Sequence, residues 1–209
     1  MPSIRLMDYA RSSAAYRVRI ALNLKGVPWE RHPVSLVDGD QRSAAFLAAN
    51  PQGLVPALDI GDGTILTQSL AIIDWLEATY PEPRLIPADP LARARALSLA
   101  LAIACDIHPL NNLRVLKRLE TQFDADRDAR MAWYAHWIVT GLAAIEEMAG
   151  DGPYLGGEAP DIADVFLVPQ IANARRFSVP LDAFPRLVAI DAAATALPAF
   201  AAAHPDHFV

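Results

Sequence analysis

The chain has 209 residues, of which 53% are hydrophobic and 20% are charged, and its formal net charge is −6 at pH 7. This length and composition allow a compact protein of one large or two small domains with a substantial core. The negative charge gives no reason to expect nucleic acid binding, and the absence of a run of about 18 apolar residues predicts no membrane span.

The amino-terminal part of the chain alternates strand and helix patterns. Residues 4–7 predict a short strand, and apolar residues at helical spacing over 15–25 predict a helix that Gly26 ends. Residues 29–37 alternate in places and predict a second strand. These two strands and the helix between them form a β-α-β unit at the start of the chain. Residues 43–50 then predict a short helix.

A β-hairpin and a further helix follow this unit. Residues 55–60 and 64–66 have the apolar character of strands, and the segment between them, Gly61-Asp62-Gly63, is rich in turn-forming residues. Apolar residues at helical spacing then predict a helix over 68–80. The first part of the chain is therefore predicted to be an α/β domain.

Four prolines between residues 81 and 90 end the helical pattern and predict an ordered linker. Helix-forming residues dominate afterwards. We predict helices over 90–120, 125–148, 162–175 and 187–202, the last one kinked or split by Pro198. The predicted organisation is an α/β domain over 1–82, a linker over 83–90 and an all-α domain over 91–209.

Three short segments of the first domain offer the contacts that a small anionic peptide needs. Ser12 and Ser13 place hydroxyls at a helix start, residues 55–56 form an extended backbone edge before a proline, and residues 68–69 place a polar pair at another helix start. Each segment also has an ordinary structural interpretation, as a helix cap or as a trans proline that begins a strand. Their joint occurrence favours a binding site.

The whole chain resembles a cytosolic glutathione transferase. Residues 12–22, which read SSAAYRVRIAL, are similar to the signature of the zeta class, which includes maleylacetoacetate and maleylpyruvate isomerases. Segments like residues 106–112 and 167–177 recur in that class. The resemblance implies a thioredoxin-like α/β N-terminal domain that binds glutathione, an all-α helical C-terminal domain, and a homodimer.

The resemblance also implies roles for individual residues. Ser12 would stabilise the glutathione thiolate, with Ser13 assisting, because thiolate is the reactive form of the thiol. The backbone of Val55, at a cis-proline turn, would pair with the cysteinyl part of glutathione. The other expected contacts to glutathione are Gln52, Gln68, Ser69, His108 and Asn112.

Ala14 marks a departure from the zeta signature, which usually has a cysteine at this position. Without that thiol, disulfide exchange with glutathione at this position is impossible, and no Cys-x-x-Cys motif occurs in the chain. A redox role like that of glutaredoxin is therefore not expected. The single cysteine, Cys105, excludes an internal disulfide and suits a reducing cytoplasm.

Three arginines are candidates for binding the second substrate. By the resemblance, Arg11, Arg114 and Arg176 converge on one site, and Arg11 and Arg176 take part in catalysis. The planar guanidinium can bind a carboxylate through two hydrogen bonds, so three of them match a substrate with two carboxylates. Taken singly, each arginine favours a solvated surface charge over a substrate contact.

The remaining candidates in the helical part of the chain are His108 and the segment at Asp161. His108 could polarise a substrate carbonyl or orient an arginine, but a neutral histidine that packs a helix is nearly as consistent with the pattern. Asp161 and Asp164 resemble the capping box of the transferase helical domain, with Asp161 in place of the usual serine or threonine. Asp164 is therefore predicted to be structural.

The expected activity is glutathione-dependent cis–trans isomerisation of maleylacetoacetate or maleylpyruvate, small enones with two carboxylates, in tyrosine or other aromatic catabolism. One alternative keeps the fold but conjugates electrophiles or removes halide from 2-halo acids. A second alternative is a non-catalytic protein of the same fold that serves as a binding partner. Neither a metal nor a nucleic acid is expected to bind, and no membrane association is predicted.

Overall fold

The computed structural model describes residues 3–209. Their contacts divide the chain into a first unit, which runs up to Leu85 and also includes Leu197–Val209, and a second unit, Ile86–Ala196. The composition predicted residues 91–209 as one helical domain, whereas the last thirteen residues of that range lie in the first unit. The reason is that this terminal segment hydrogen-bonds to and packs against the first helix of the chain.

A four-stranded mixed sheet forms the centre of the first unit. Its strands are β1 (Ile4–Asp8), β2 (Trp29–Pro33), β3 (Ala57–Asp59) and β4 (Ile65–Thr67), in the order β2-β1-β3-β4. β1 and β2 are parallel, while β3 is antiparallel to both β1 and β4. The predicted strands and hairpin are confirmed, although β2 and β3 are shorter than the predicted ranges 29–37 and 55–60.

Three helices accompany the sheet of the first unit: α1 (Ser13–Leu24), α2 (Ala44–Ala49) and α3 (Ser69–Thr79). α1 connects the parallel strands and contacts α3. Their apolar side chains, with those of the sheet, form a core that includes the fully buried residues Leu6, Val18, Leu22, Leu58, Ile72 and Leu76. Gly26, at φ 62°, allows the left-handed turn that ends α1, as the sequence predicted.

The second unit is helical. Its helices are α4 (Pro90–Leu101), α5 (Leu113–Phe123), α6 (Arg127–Met148), α7 (Ile162–Arg176) and α8 (Pro185–Thr195). α7 buries 11 of its 15 residues, so it is the central helix, and α4 and α8 pack against it. The predicted split of the last helix is confirmed, because α9 (Pro198–Ala202) begins anew at Pro198. None of the helices in the described part of the chain is both long and apolar enough to cross a membrane.

The single helix predicted over 90–120 is wrong. α4 leads into a π-helical turn, Ala102–Ile107, and a 3₁₀ turn, His108–Asn111. Pro109 has no amide hydrogen with which to continue α-helical bonding. Asn112 then adopts an extended backbone, and its side chain accepts a hydrogen bond from the amide two residues later, which starts α5 as a separate helix.

The start of α7 contains the predicted capping box, which is confirmed. The side chain of Asp161 accepts a hydrogen bond from the Ala163 amide at 2.7 Å. Asp164 is fully buried and accepts hydrogen bonds from the amides of Leu155 at 2.8 Å, Gly156 at 3.1 Å and Asp161 at 2.9 Å. The carboxylate of Asp164 therefore joins the preceding loop to the central helix of the second unit.

Burial raises the pKa of Asp161 to about 6, and the nearby Asp164 carboxylate adds to the rise. Because its pKa in the unfolded chain is 3.8, the folded protein binds more protons between these values, and stability falls as the pH rises through this range. We expect Asp161→Ser, which keeps a capping oxygen without the charge, to increase the free energy of unfolding by about 1–2 kcal/mol at neutral pH. Urea denaturation measures this change.

The matched control is Asp161→Asn, which has the shape of aspartate and also caps helices well. Both variants should lose their advantage over the wild type as the pH is lowered to about 4, where Asp161 is protonated in the folded state. A gain that is equally large at both pH values would contradict the assignment of the effect to the buried charge.

Candidate active site

Ser12 is the N-cap of α1. Its Oγ accepts a hydrogen bond from the Ala15 amide at 3.2 Å, and its own amide donates to the Tyr9 carbonyl at 2.9 Å. The hydroxyl proton of Ser12 therefore remains available to donate to a ligand. No acidic residue lies in the first turn of α1, so the positive end of the helix dipole is not neutralised there. Ser13 follows as the buried first residue of the helix, and the exposed Arg11 precedes the cap.

The loop before β3 is held by one buried amide side chain. Asn50 donates through Nδ2 to the Leu54 carbonyl at 2.8 Å and accepts through Oδ1 from the Gln52 amide at 3.1 Å. The Val55–Pro56 bond is cis, as predicted. The paired register of β3 begins at Ala57, so the backbone of Val55 lies outside the sheet ladder. It can therefore pair with an extended ligand.

The start of α3 brings together two of the predicted residues. Gln68 donates through Nε2 to Oε1 of Gln52 at 3.0 Å, and both side chains are exposed. Gln68 has a φ of 68°, which is unusual for a residue other than glycine. Such backbone strain is concentrated at ligand-binding sites. Ser69, the buried first residue of α3, also has no acidic neighbour in the first turn.

The sequence did not assign a role to Arg17, which the structure places at the same site. Arg17 is buried, and its Nη1 donates to the Ser69 Oγ at 3.3 Å. Because the Ser69 hydroxyl accepts this bond, it can donate its own proton to an anion. Arg17 lies one helical turn after Ser13, so α1 links the Ser12 cap with the start of α3. An arginine on the buried face of an otherwise apolar helix was the signal in the sequence.

Arg11 also borders a cavity of about 300 Å³ within the first unit. Its walls include Tyr9 from the loop before α1, Ser35 from the loop after β2, and Phe208 from the end of the chain. Arg31 lies in the same lining. The two arginines make this space suitable for an anionic group.

Of the predicted residues in the second unit, three lie around the start of α5. His108 is half-buried at the start of the 3₁₀ turn, and Arg114 is exposed. Asn112 is the N-cap of α5, and its Oδ1 accepts from the Arg114 amide at 3.1 Å. The side-chain oxygen of Asn112 is therefore used in capping, while its amide group can still donate to a ligand.

Arg176 ends α7 beside an aromatic cluster. Its guanidinium carbon lies 4.8 Å from the centre of the Phe177 ring. The hydroxyl of Tyr134, which the sequence did not single out, donates to Asn173 Oδ1 at 2.8 Å and hydrogen-bonds Arg176. Burial raises the pKa of Tyr134, and the Asn173 bond and the Arg176 charge oppose the rise. Tyr134 therefore orients Arg176.

Within residues 3–209, no group of three or more histidine, cysteine, aspartate and glutamate side chains is arranged to hold a metal ion. The chemistry of the site is that of hydroxyls, amides and guanidinium groups.

Two family models match the chain. The N-terminal domain of glutathione S-transferase matches residues 11–79, and the C-terminal domain of glutathione S-transferase matches residues 113–202. Together these ranges cover most of the chain and include the hydroxyls at both helix starts of the first unit.

Individual relatives resemble the chain over nearly its full length. Maleylacetoacetate isomerase of Pseudomonas aeruginosa is 48% identical, over 97% of this chain and 96% of the relative. The holo structure of a bacterial maleylpyruvate isomerase of the zeta class is 47% identical, covers 96% of each chain and has a TM-score of 0.94. A structure of maleylacetoacetate isomerase from Methylobacterium extorquens with bound malonate and glutathione is 43% identical, covers 96% of each chain and has a TM-score of 0.93.

The positive φ of Gln68 leads to a stability prediction. Glycine adopts this conformation without steric cost, whereas any side chain with a Cβ is strained by about 1–3 kcal/mol. We expect Gln68→Gly to be more stable than Gln68→Ala by about 1 kcal/mol, because the relief of backbone strain exceeds the stability that glycine loses through its larger entropy in the unfolded chain. Both variants lose the bond to Gln52, so the comparison isolates the backbone. Urea denaturation measures the difference, and an alanine variant as stable as the glycine variant would contradict the strain.

Proposed function

Because this chain belongs to the glutathione S-transferase family and resembles the isomerases of its zeta class, we propose that it is a glutathione-dependent cis–trans isomerase of maleylacetoacetate or maleylpyruvate. The observation that carries the proposal is the pair of helix starts in the first unit. Ser12 at α1 and Ser69 at α3 each present a hydroxyl that already accepts one hydrogen bond from the protein, so its proton can donate to a ligand. These groups suit a thiolate and a carboxylate, respectively.

The donors of the first unit fit glutathione. Ser69 and the amides at the start of α3 suit its γ-glutamyl carboxylate, since a helix N-terminus favours an anion. The backbone of Val55 suits the extended cysteinyl part, and Gln52 suits the glycine end. Arg17 adds a buried positive charge beside Ser69. The bound glutathione of the Methylobacterium extorquens relative supports this assignment.

When bound, glutathione supplies a thiol whose reversible addition turns the cis double bond into a single bond that can rotate before the thiol leaves again. An unperturbed thiol has a pKa of about 8.5, so it is mostly protonated at neutral pH. Ser12 lowers that pKa by donating its hydroxyl proton to the sulfur, and the N-terminus of α1 contributes positive potential. Ser13 supports the same helix start.

Carboxylate binding and charge stabilisation are assigned to arginines. We infer that Arg11, Arg114 and Arg176 bind the two carboxylates of the substrate and stabilise the negative charge that develops on its carbonyl oxygen. Tyr134 and Phe177 hold Arg176 in one orientation, which suits a residue that recognises a planar group. His108 and Asn112, near the start of α5, are assigned as further polar contacts to glutathione. The malonate in the Methylobacterium extorquens relative is itself a dicarboxylate.

The proposal extends to the setting of the protein. We infer a cytoplasmic homodimer that acts in the breakdown of tyrosine or another aromatic compound, as expected for enzymes that handle maleylacetoacetate or maleylpyruvate. Leu91 and Leu101 of α4 expose apolar surface, which is consistent with a partner contact there. Ala14 supports isomerisation over redox chemistry, since the chain has no thiol at that position.

The experiment that tests the function follows the ultraviolet absorbance of maleylpyruvate and of maleylacetoacetate with purified protein, with and without glutathione. We expect conversion of at least one substrate only when glutathione is present, with no net consumption of glutathione. Ser12→Ala should reduce kcat roughly 100-fold, in the range found for the loss of one group that stabilises a reacting anion. The larger kcat/KM identifies the natural substrate.

Two outcomes would contradict the isomerase. Consumption of glutathione with an electrophile, or release of halide from a 2-halo acid, without isomerisation would favour a conjugating or dehalogenating transferase. Failure to retain the protein on immobilised glutathione would favour a non-catalytic protein of the same fold.

The assignment of Arg176 leads to a prediction on KM. Lysine keeps the charge but loses the planar fork, so we expect Arg176→Lys to increase the KM for the dicarboxylate about tenfold, which corresponds to about 1.4 kcal/mol. Tyr134→Phe, which removes the orienting hydroxyl, should have a smaller effect in the same direction. Steady-state kinetics at saturating glutathione measure both changes.

Arg175→Lys is the matched control for this prediction. Arg175 precedes Arg176, is also exposed, and pairs with the buried Asp191 of α8. Its replacement should leave the KM for the dicarboxylate within about twofold of the wild-type value, because lysine keeps a positive charge beside the buried Asp191 carboxylate. Equal increases in KM for the Arg175 and Arg176 variants would contradict a specific carboxylate contact.

A further inference from the structure

Arg19 of α1 is fully buried and bonded through three of its nitrogen atoms. Nη1 donates to Asp8 Oδ1 at 2.6 Å, and Nη2 donates to the Ala10 carbonyl at 3.0 Å. Nε donates to the Ala203 carbonyl at 3.0 Å. Asp8 and Ala10 belong to residues 8–12, the catalytic loop, which ends at the Ser12 cap. One guanidinium thus connects the catalytic loop with residues 197–209, which we call the C-terminal strap.

A second arginine repeats this connection. Arg31 of β2 donates through Nε to Asp8 Oδ2 at 2.8 Å and through Nη1 to the Phe208 carbonyl at 2.6 Å. Both oxygens of the buried Asp8 carboxylate are therefore bound by arginines. Each of these arginines also donates to a carbonyl of the C-terminal strap. The strap therefore supplies two of the acceptors that hold Arg19 and Arg31 against Asp8.

Aromatic rings enclose the Arg19 guanidinium. Its central carbon lies 4.6 Å from the centre of the Phe208 ring and 5.2 Å from that of Tyr16. The Phe208 ring also stacks on Trp29, at 6.0 Å between centroids. An aromatic face attracts a cation, so the Phe208 ring stabilises the buried Arg19 guanidinium. Burial lowers the pKa of Arg19, and the Asp8 carboxylate opposes this effect.

The C-terminal strap has its own anchor on α1. Asn23 donates through Nδ2 to the Ala199 carbonyl at 3.0 Å, and Phe200 of α9 is fully buried. These contacts are at the far end of the strap from Phe208. The strap can therefore stay attached to the first unit when the contacts of Phe208 are weakened. A substitution at Phe208 then tests the effect on the catalytic loop without loss of the whole strap.

We propose that Arg19 is a positioning residue for the catalytic loop, and that the C-terminal strap holds Arg19 so that Ser12 is presented to the glutathione thiol. The inference rests on the proposed function of Ser12. Loosening the strap lets the guanidinium turn away from Asp8 and Ala10. The catalytic loop then relaxes, Ser12 no longer donates well to sulfur, and the pKa of the bound thiol rises. The sites at Ser69 and Val55 do not depend on these contacts.

The test uses full-length Phe208→Ala and measures the pKa of bound glutathione from the ultraviolet absorbance of its thiolate, without a second substrate. We expect the ratio of thiolate to thiol at neutral pH to fall about three- to tenfold, as for a rise in the thiol pKa of about half to one unit. The Kd of glutathione should change less than about threefold, since that binding rests mainly on other contacts. With substrate, kcat should fall in proportion and recover at higher pH.

A second variant, Arg19→Lys, keeps the positive charge but has one nitrogen in place of the three that bond Asp8, Ala10 and Ala203. We expect it to raise the thiol pKa at least as much as Phe208→Ala does. The matched control is Lys25→Met, which breaks another buried ion pair of the first unit, that of Lys25 with Glu77 at 2.6 Å. Lys25 lies at the opposite end of α1, so its loss should lower the melting temperature and leave the thiol pKa unchanged.

A Phe208→Ala protein with a lower melting temperature and a wild-type thiol pKa would overturn the inference, because the strap would then only stabilise the fold. An equal rise in the thiol pKa in Lys25→Met would overturn it as well, since the effect would follow general destabilisation. A wild-type protein that binds no glutathione would overturn the proposed function, and the positioning role with it. If the wild-type protein and both variants bind glutathione as thiolate to the same extent, the proposed function stands and only the role of the strap is overturned.

Discussion

The buried ion pair of Asp8 with Arg19 is the constraint on which the first unit depends. Taking two charges out of water costs several kcal/mol for each, so both groups need further hydrogen bonds. Asp8 obtains one from Arg31, and Arg19 obtains two from backbone carbonyls. These requirements tie together β1, β2, α1 and the end of the chain. Loss of one partner of such a pair typically costs about 3–5 kcal/mol, because the other charge remains buried.

The candidate active site uses the same physical device twice. Ser12 is the N-cap of α1 and Ser69 is the first residue of α3, and neither first turn contains an acidic residue, so both helix ends keep their positive potential. In both cases an N–H donor already occupies an acceptor position of the hydroxyl: the Ala15 amide for Ser12 and the Arg17 guanidinium for Ser69. Each hydroxyl is thereby oriented to donate, which is what a thiolate and a carboxylate require.

Much of the fold could be predicted from local patterns. The strands, the hairpin and most helices follow from apolar periodicity, and Gly26, Pro198 and the pair of Asp161 with Asp164 mark element ends by their own chemistry. The helix over 90–120 failed because helix-forming residues continue through Pro109, and periodicity does not report where a helix changes to π and 3₁₀ turns. Of the site, the serines and the cis-proline turn were predictable as motifs. The helix pattern marked Arg17 as unusual, but neither its role nor that of Tyr134 was predictable, since both roles arise from contacts with side chains that are distant in sequence.

By itself the sequence determined the family, the order of the elements and the residue types at both helix starts, because these depend on neighbouring residues and on short motifs. Only the tertiary structure decided what Arg19 and Arg31 bind. Arg19 reaches Ala203, 184 positions away, and Arg31 reaches Phe208, 177 positions away. A charge in the core must be satisfied by whatever oxygen the folded chain brings to it. Those partners exist only when the end of the chain has folded against α1, so no local pattern could reveal them.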